Sequence, residues 1–291
     1  MSLKAPIQLG ALHKQAIAAL SDHSDSARLD AELIICHILK ISRTALITQD
    51  QTNIKHSQAE QIQSLLERRK LGYPIAYVTG TRHFWDLELK VNEATLIPRP
   101  ETELLIEVAL RLFSKEQNIK VLDLGTGSGA IAIAIAKACE NWTVLACDNA
   151  NAALDIAILN AARYQLANVQ FKLSNWFTEL SSTSSTDKFD LIISNPPYIE
   201  ENDPHLTIGD VQFEPQSALC SGHDGLKDIR LLIAAATNYL TPQGWLWLEH
   251  GYDQAERVKD LFNENAYHNI TQHIDLAGHI RITGAQRDQP N

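Results

Sequence analysis

Paired cysteines, long apolar runs and dense basic clusters are scarce in this chain of 291 residues. The 4 cysteines form no C-x-x-C pair, so we expect reduced thiols rather than a disulfide framework. The 11 histidines show no ligand spacing with a cysteine or a carboxylate, so no metal site is predicted. No apolar run reaches about 18 residues and no leader segment opens the sequence, which favours a cytoplasmic protein without a membrane partner.

The charge balance is acidic, with a formal net charge of -10. Residues 1–75 carry 9 Lys and Arg against 7 Asp and Glu, which leaves -12 for the rest of the chain. A protein that grips a nucleic-acid backbone needs clustered Lys and Arg, so direct nucleic-acid binding is not predicted. The one dense basic cluster, Arg68-Arg69-Lys70, is typical of a solvated helix end, with a partner-binding patch as the alternative.

Hydrophobic periodicity divides the chain into three parts. Residues 1–74 follow helical spacing and predict a bundle of three or four short helices, either a structural cap or a docking surface. Residues 75–92 change period and predict a hairpin of two strands around Gly80-Thr81-Arg82, beginning near Tyr77. In residues 93–291 strands and helices alternate, which is typical of a doubly wound, Rossmann-like α/β sheet.

The alternation in the third part predicts strands near 119–124, 143–148, 169–173, 189–194 and 244–249, and helices near 101–113, 129–138, 151–164 and 227–239. Two further strand candidates within 267–283 suggest a hairpin that closes the sheet. The long segment 199–226 lacks periodicity, which is typical of a functional loop such as a substrate-facing lid. Its tripeptide Phe213-Glu214-Pro215 is expected to anchor the loop rather than to contact substrate.

A glycine-rich loop, Gly125-Thr126-Gly127-Ser128-Gly129, follows the first strand of that sheet and opens a helix. Glycines there let a ligand approach the backbone at a helix N-terminus. Asp148 ends the next strand, 23 residues after Gly125, where a carboxylate can accept hydrogen bonds from both ribose hydroxyls. Trp176 follows the third strand and either stacks on an adenine base or belongs to the core. These residues predict a nucleoside-containing cofactor.

The dinucleotide-binding pattern is G-x-G-x-x-G, whereas the spacing here is G-x-G-x-G. The Gly-Lys-Ser/Thr sequence of a phosphate-binding loop is also absent. With Asp123 on the preceding strand and Asp148 on the next, the glycine loop resembles the S-adenosylmethionine site of class I methyltransferases. The nucleoside cofactor predicted from the glycines is therefore expected to be a methyl donor.

The corner Asn195-Pro196-Pro197-Tyr198 leaves the fourth strand in an unusual way. Proline fixes φ and donates no hydrogen bond, so two prolines hold a short, rigid piece of backbone. The Asn195 side-chain oxygen and the Pro196 carbonyl are then preset acceptors, and the Tyr198 ring can pack on a flat group. The corner predicts a binding site for a planar NH2 group, which belongs to an adenine base or to a glutamine amide.

Together these segments resemble the glutamine methyltransferases of peptide chain release factors, the PrmC/HemK family. The resemblance covers nearly the whole chain and is carried by 27–33, Phe84-Trp85, 96–103, the glycine loop, the corner, Phe213-Glu214-Pro215 and 248–251. One departure is Asn175, since the family commonly has Asp before the tryptophan of this turn.

The resemblance implies S-adenosylmethionine as cofactor and the glutamine of the Gly-Gly-Gln motif in bacterial class 1 release factors as substrate. It implies that the cofactor is bound by Gly125, Thr126, Gly127, Ser128, Gly129, Asp148, Trp176 and Asn195. Catalysis is assigned to Asn195, Pro196 and Tyr198, and substrate binding to these three with Pro197. The helical part, residues 1–74, is expected to dock the release factor, and the enzyme is expected to be monomeric.

Three other functions compete with this interpretation. An adenine-N6 methyltransferase acting on DNA or RNA shares the corner, although the acidic charge argues against it. A cofactor-sensing protein without catalysis and a nicotinamide dehydrogenase are less consistent with the two motifs. The segment Arg99-Pro100-Glu101-Thr102-Glu103 has two interpretations as well, a loop that closes over the cofactor or a plain helix start with favourable acids.

Overall fold

The computed structural model describes residues 6–184 and 187–288, and it divides the chain into two compact units. The first unit comprises the chain as far as Thr81 together with His205–Phe213. The second comprises Arg82–Pro204 and the chain from Glu214 onward. Within the described ranges, every helix is too short or too polar to cross a membrane.

The first unit is mainly helical. Its helices are α1 (Leu9–Leu20), α2 (Ala27–Leu39), α3 (Arg43–Thr48), α4 (His56–Lys70) and α5 (Ile75–Thr79), and the short strands β1 (Ile7–Gln8) and β2 (Asn53–Ile54) pair antiparallel. Ala31, Ile34 and Ile35 of α2 and Ile62 of α4 are fully buried in a common core. Residues three and four positions apart share one face of a helix, so Ala31, Ile34 and Ile35 form the buried face of α2.

Residues 75–79 form helix α5, so the prediction of a strand through Tyr77 was wrong. Pro74 stands at the N-cap and its carbonyl accepts hydrogen bonds from the backbone N–H groups of Tyr77 and Val78. Gly80 ends the turn at φ 67, which glycine adopts without steric cost. Caps at both ends decide for a helical turn against the alternating pattern.

A hairpin does follow, but its turn lies later than predicted. Strand β3 (Thr81–Phe84) pairs with β4 (Leu87–Lys90), so the chain reverses at residues 85 and 86 instead of around Gly80-Thr81-Arg82. Phe84, Leu87 and Leu89 are buried in the core of the second unit. The alternation within 81–91 was interpreted correctly, and only the position of the reversal was wrong.

The second unit contains a seven-stranded sheet in the order β10-β11-β9-β8-β5-β6-β7. Its strands are β5 (Lys120–Leu124), β6 (Thr143–Asp148), β7 (Val169–Leu173), β8 (Phe189–Ser194), β9 (Leu240–Glu249), β10 (Tyr267–Ile274) and β11 (Ile280–Arg287). The pairs among β5 to β9 are parallel, whereas β11 runs antiparallel to β9 and to β10. The closing hairpin predicted near the carboxyl terminus is confirmed.

Helices cover both faces of this sheet. They are α6 (Glu103–Leu112), α7 (Ala130–Ala138), α8 (Asn151–Arg163), α9 (Lys227–Ala236) and α10 (Ala255–Asn263). Helices α6, α7 and α8 contribute to one core, and α9 and α10 to the other. Alternate residues of β8 divide between them, with Leu191 and Ile193 in the first core and Ile192 in the second. The predicted doubly wound α/β fold is confirmed.

Candidate active site

The predicted site residues follow the carboxyl ends of the parallel strands. Strand β5 lies between β6 and β8, and the chain proceeds outward from β5 in one direction and then in the other. Such a reversal of strand order opens a crevice at the carboxyl ends, where ligands bind in sheets of this type. The Ser194 hydroxyl donates to the Leu124 carbonyl at 2.6 Å and joins the ends of β8 and β5 at this point.

The glycine loop satisfies most of its own backbone N–H groups. The N–H groups of Gly125 and Thr126 both donate to the Cys147 carbonyl, and that of Gly129 donates to the Thr126 carbonyl. The sequence interpretation treated the amides at this helix start as open to a ligand. These bonds show that the loop is instead a closed backbone turn, which holds its shape independently of a ligand.

Asp148 supports the same loop and leaves capacity for a ligand. Its Oδ2 accepts from the Gly127 N–H and its Oδ1 from the Ala150 N–H, both at 2.9 Å. A carboxylate has about four lone-pair positions. Two therefore remain for other donors, and the side chain lines the cavity described below.

Asp123 lies beneath the loop and is completely buried. Its Oδ2 accepts the Thr126 hydroxyl at 2.6 Å. Burial raises the pKa of Asp123 to about 7, and the nearby charge of Asp148 acts in the same direction. Thr126 thus serves to tie the loop to the strand below it.

Trp176 forms one wall of the site in an unusual backbone conformation, with φ 52. A non-glycine residue at positive φ is uncommon and is found at functional sites. Its indole Nε1 donates to Asp228 Oδ1 at 3.0 Å, which fixes the ring. A Cβ atom added to Gly125 would lie 3.4 Å from this ring, so a larger residue there would project into the space beside the indole.

One cavity contains residues of both predicted motifs and encloses about 660 Å³ of space that is partly open to solvent. Its lining is Ala94, Thr95, Leu96, Gly125, Gly127, Asp148, Asn149, Ala150, Ala153, Ser174, Trp176, Asn195, Pro197, Pro215, Ser217 and Ala218. The other predicted site residues, Thr126, Ser128, Gly129, Pro196 and Tyr198, lie outside this lining. Sequence reasoning did not single out Thr95 and Ser217, which carry no motif.

Several bonds pin the backbone of the corner after Pro197. The Tyr198 carbonyl accepts from Gln254 Nε2 at 2.9 Å, and its N–H donates to the Leu219 carbonyl at 3.2 Å. Gly225, at φ 69, passes so close that an added Cβ would lie 2.3 Å from the Tyr198 carbonyl oxygen. The corner is therefore held by the segment that follows it and by helix α10, which was not predicted.

A chain of side-chain bonds holds the Asn195 amide. Asn195 Nδ2 donates to Thr102 Oγ1 at 3.0 Å, and the Thr102 hydroxyl donates to Glu249 Oε2 at 2.6 Å. The Tyr198 hydroxyl donates to the other oxygen, Oε1, over a longer 3.3 Å. Thr102 and Glu249 are only 4% and 1% exposed, so solvent does not compete for these bonds. Both residues belong to segments of the family resemblance, but neither was predicted in the site.

The carboxyl of Glu249 is strongly perturbed by its surroundings. Burial raises its pKa to about 7, against the opposing effect of the hydrogen bonds from Thr102 and Tyr198. Burial likewise raises the pKa of the Tyr198 phenol far above its usual value. Tyr198 therefore stays neutral under all physiological conditions, whereas Glu249 changes its charge near neutrality.

The two open interpretations of the flanking segments are decided by their contacts. Residues Pro100–Thr102 form a 3-10 turn that leads directly into α6, which supports the helix start. Arg99 Nη2 pairs with Glu214 Oε1 at 2.7 Å, and the Glu214 side chain is completely buried. Glu214 thus anchors its loop, as expected for the tripeptide Phe213-Glu214-Pro215.

The acceptors and walls of the cavity fit the cofactor implied by the resemblance. Asp148 offers unused acceptor positions, and Trp176 offers a fixed ring face. Gly125 and Gly127 line the cavity without a side chain, so a ligand can approach the backbone at these two positions. Acceptor, flat wall and open backbone are what the ribose, the base and the remainder of S-adenosylmethionine require.

Comparisons with known proteins agree with both parts of the chain. Residues 11–80 match the family described as the PrmC N-terminal domain, and residues 115–287 match a methyltransferase domain. A methyltransferase structure from Pyrococcus furiosus has a TM-score of 0.51 at 17% identity, over 78% of this chain and 98% of that one. At 17% identity this similarity concerns the fold alone.

Two curated relatives match over most of their length. The release factor glutamine methyltransferase of Aliivibrio fischeri is 43% identical over 282 residues, which cover 96% of this chain and 98% of the relative. The protein of the same name from Vibrio cholerae is 45% identical over 263 residues, covering 90% and 91%. Similarity of this extent includes both units and the whole cavity.

Proposed function

This chain belongs to the family of release factor glutamine methyltransferases, and on that basis we propose the glutamine of the Gly-Gly-Gln motif in bacterial class 1 release factors as its substrate. It is an S-adenosylmethionine-dependent enzyme that methylates a release factor glutamine. The observation that carries the proposal is the single cavity that contains Asp148, Trp176, Asn195 and Pro197. Residues suited to the cofactor and residues suited to a planar amide share that space.

Asn195 is assigned the central role in binding the substrate amide. Its Nδ2 is occupied by Thr102, and nothing among the described residues donates to its Oδ1. This oxygen and the Pro196 carbonyl accept the two N–H hydrogens of the glutamine side chain. Tyr198 packs against the plane of the amide, and Pro197 keeps the corner rigid.

An amide nitrogen is a poor nucleophile because its lone pair is delocalised into the carbonyl. Bound S-adenosylmethionine supplies an electrophilic methyl group. Two acceptors on the N–H hydrogens raise the electron density of the nitrogen and stabilise the positive charge that develops on it. Holding the nitrogen in line with the methyl group contributes several kcal/mol more. The bond between the methyl group and sulfur would break as the nitrogen–carbon bond forms, with its electron pair left on sulfur as a neutral thioether. The nitrogen would then lose one proton to water, without a side-chain general base.

The cellular setting follows from the substrate. Release factors act in translation, so the enzyme is assigned to the cytoplasm. A monomer is proposed as the active form. The first unit, whose segment up to residue 80 matches the PrmC N-terminal domain, is assigned to release-factor docking.

The test is methyl transfer to a purified class 1 release factor, read by mass spectrometry of its Gly-Gly-Gln peptide. We expect a gain of one methyl on that glutamine and none on DNA or RNA carrying adenine. Asn195→Ala should slow transfer by about 100-fold or more, because one of two acceptors is lost. Its affinity for S-adenosylmethionine, measured by calorimetry, should change far less.

Asn263→Ala is the matched control, since it makes the same chemical change at an exposed side chain outside the cavity lining. Its transfer rate should stay near that of the unaltered protein. Methyl transfer to adenine but not to the glutamine would contradict the proposed substrate. Near-normal transfer by Asn195→Ala would contradict the proposed role of the amide.

A further inference from the structure

The side-chain amide of Asn195 is linked to the buried carboxyl of Glu249 through one hydroxyl group, that of Thr102. The bonds join residues 93 and 147 positions apart in sequence, from the segment before α6, the corner after β8 and the end of β9. Glu249 also receives the Tyr198 hydroxyl. One carboxyl is thus linked to the first and last residues of the corner.

The direction of these hydrogen bonds decides which way the amide points. An ionised carboxylate only accepts, so Thr102 must donate its one hydroxyl proton to Glu249. The Thr102 oxygen can then only accept from its other neighbour, which must be an N–H group. Asn195 therefore presents Nδ2 to Thr102 and is left with Oδ1 free to accept.

We propose that Glu249 and Thr102 are positioning residues that lock the Asn195 amide with its oxygen available to the substrate. This inference rests on the proposed function, because it concerns the acceptor that binds the glutamine N–H. Neither residue is in the cavity lining. Both act through Asn195.

The charge of Glu249 determines whether the Asn195 amide has one orientation or two. When the carboxyl is protonated on Oε2, it can donate to Thr102, whose hydroxyl is then released to donate to Asn195. The amide can rotate by half a turn and present N–H groups where the substrate needs an acceptor. Ionisation of Glu249 removes that second arrangement and leaves the productive one.

The charged and polar groups around Glu249 set the pH at which its carboxyl ionises, and this pH is near neutrality. Burial and the charge of Glu101 raise its pKa, while the charge of Arg281 and the bonds from Thr102 and Tyr198 lower it, with a balance at about 7. Arg281 itself pairs with Asp275 at 2.8 Å. Arg99, which lies near Tyr198, pairs with Glu214 and contributes positive charge to the same region.

Substitution of Thr102 gives the first test. Thr102→Val keeps the shape and removes the hydroxyl, so kcat for release-factor methylation should fall by about 10-fold or more. The dissociation constant for S-adenosylmethionine should stay close to that of the unaltered enzyme. Thr102→Ser restores the hydroxyl and should return kcat to within about 3-fold of the unaltered enzyme. A purely packing role predicts the opposite order, because serine leaves a gap that valine fills.

Thr283→Val is the matched control for loss of a buried hydroxyl. Thr283 is completely buried and its Oγ1 lies 2.7 Å from His250 Nε2, so its loss should lower the melting temperature without the same fall in kcat. Melting curves of all variants separate instability from misorientation. If Thr102→Val and Thr283→Val retain equal kcat, the positioning role is overturned.

The pH profile gives the second test. Transfer by the unaltered enzyme should rise by about 3-fold or more from about pH 6 to about pH 8, as Glu249 ionises. Glu249→Gln keeps an acceptor oxygen for Thr102 and cannot titrate, so that rise should disappear. An identical rise in Glu249→Gln would overturn the role of Glu249. If the unaltered enzyme methylates no glutamine at all, the proposed function fails instead of this inference.

Discussion

Glu249 couples the site to the stability of the fold. It is 1% exposed, and burial raises its pKa from 4.5 to about 7. The folded state therefore holds a proton that the unfolded chain has released at intermediate pH. Stability from this group is fully present below about pH 4.5 and is lost as the pH rises through about 7. A carboxyl that serves the amide site thus weakens the protein at the pH where it becomes ionised.

Glu249→Gln should remove this pH dependence. The shift corresponds to a loss of roughly 3 kcal/mol from the unfolding free energy of the unaltered protein as the pH rises from about 4.5 to about 8. The variant should become more stable relative to the unaltered protein over that range. Urea denaturation at several pH values measures the difference. Glu140→Gln, at an exposed position, is the matched control for loss of one carboxyl.

A stability difference between Glu249→Gln and the unaltered protein that stays constant with pH would contradict the raised pKa. Asp123, whose pKa is also raised to about 7, remains in both proteins. Its contribution therefore cancels in the comparison. The comparison isolates the one carboxyl that contacts Thr102 and Tyr198.

Helix α4 ends in the basic cluster that was interpreted as a solvated helix end, and Arg69 does not fit that description. Its side chain is 14% exposed and its Nε donates to Asp30 Oδ2 at 2.7 Å. Asp30 is buried and also accepts the hydroxyls of Ser24 and Ser26. The middle of the cluster therefore joins α4 to α2 instead of facing solvent. Only the neighbouring Lys70 behaves as expected, with an ion pair to Glu67 on the surface.

Arg69→Ala should destabilise the first unit by about 2–4 kcal/mol, because it leaves the buried Asp30 carboxylate without its cation. Lys70→Ala removes an exposed ion pair from the same helix end and should cost less than about 0.5 kcal/mol. Thermal or urea unfolding of the two variants measures the contrast. Equal effects would show that the buried pair contributes no more than the exposed one.

The charge of the entire chain argues for a protein substrate. The net charge is -10, and the only dense basic cluster has its central arginine committed to Asp30. Non-specific binding to nucleic acid depends on several Lys and Arg side chains that neutralise phosphates together. With its central arginine paired to a buried carboxylate, this cluster is poorly suited to such binding.

Duplex DNA or RNA should therefore neither accept methyl groups nor slow release-factor methylation. At physiological salt we expect dissociation constants weaker than about 10 µM for random duplexes. Radiolabelled methyl counted in separated protein and nucleic-acid fractions measures acceptance, and fluorescence anisotropy measures binding. Label in adenine, or binding at submicromolar concentration, would contradict the assignment of the corner to glutamine.

The sheet and the main motifs could be predicted because their signals are local. Strands β6, β7 and β8 begin and end at the predicted residues. Caps and short amphipathic patterns were harder. Helix α5 was predicted as a strand, although Pro74 and Gly80 bound it as a helical turn. Helix α10 was missed, although Val258 and Phe262 lie four residues apart on its buried face.

Sequence alone was sufficient for the fold class and for locating the glycine loop and the corner, since glycine, proline and apolar periodicity restrict the backbone over a few residues. It could not show which side chains orient Asn195. Thr102 and Glu249 come from distant segments and have no chemical signature of their own. Only the pairing of β8 with β9, together with the packing of the turn before α6 against their ends, brings them to Asn195. Only burial then gives their hydrogen bonds a single direction.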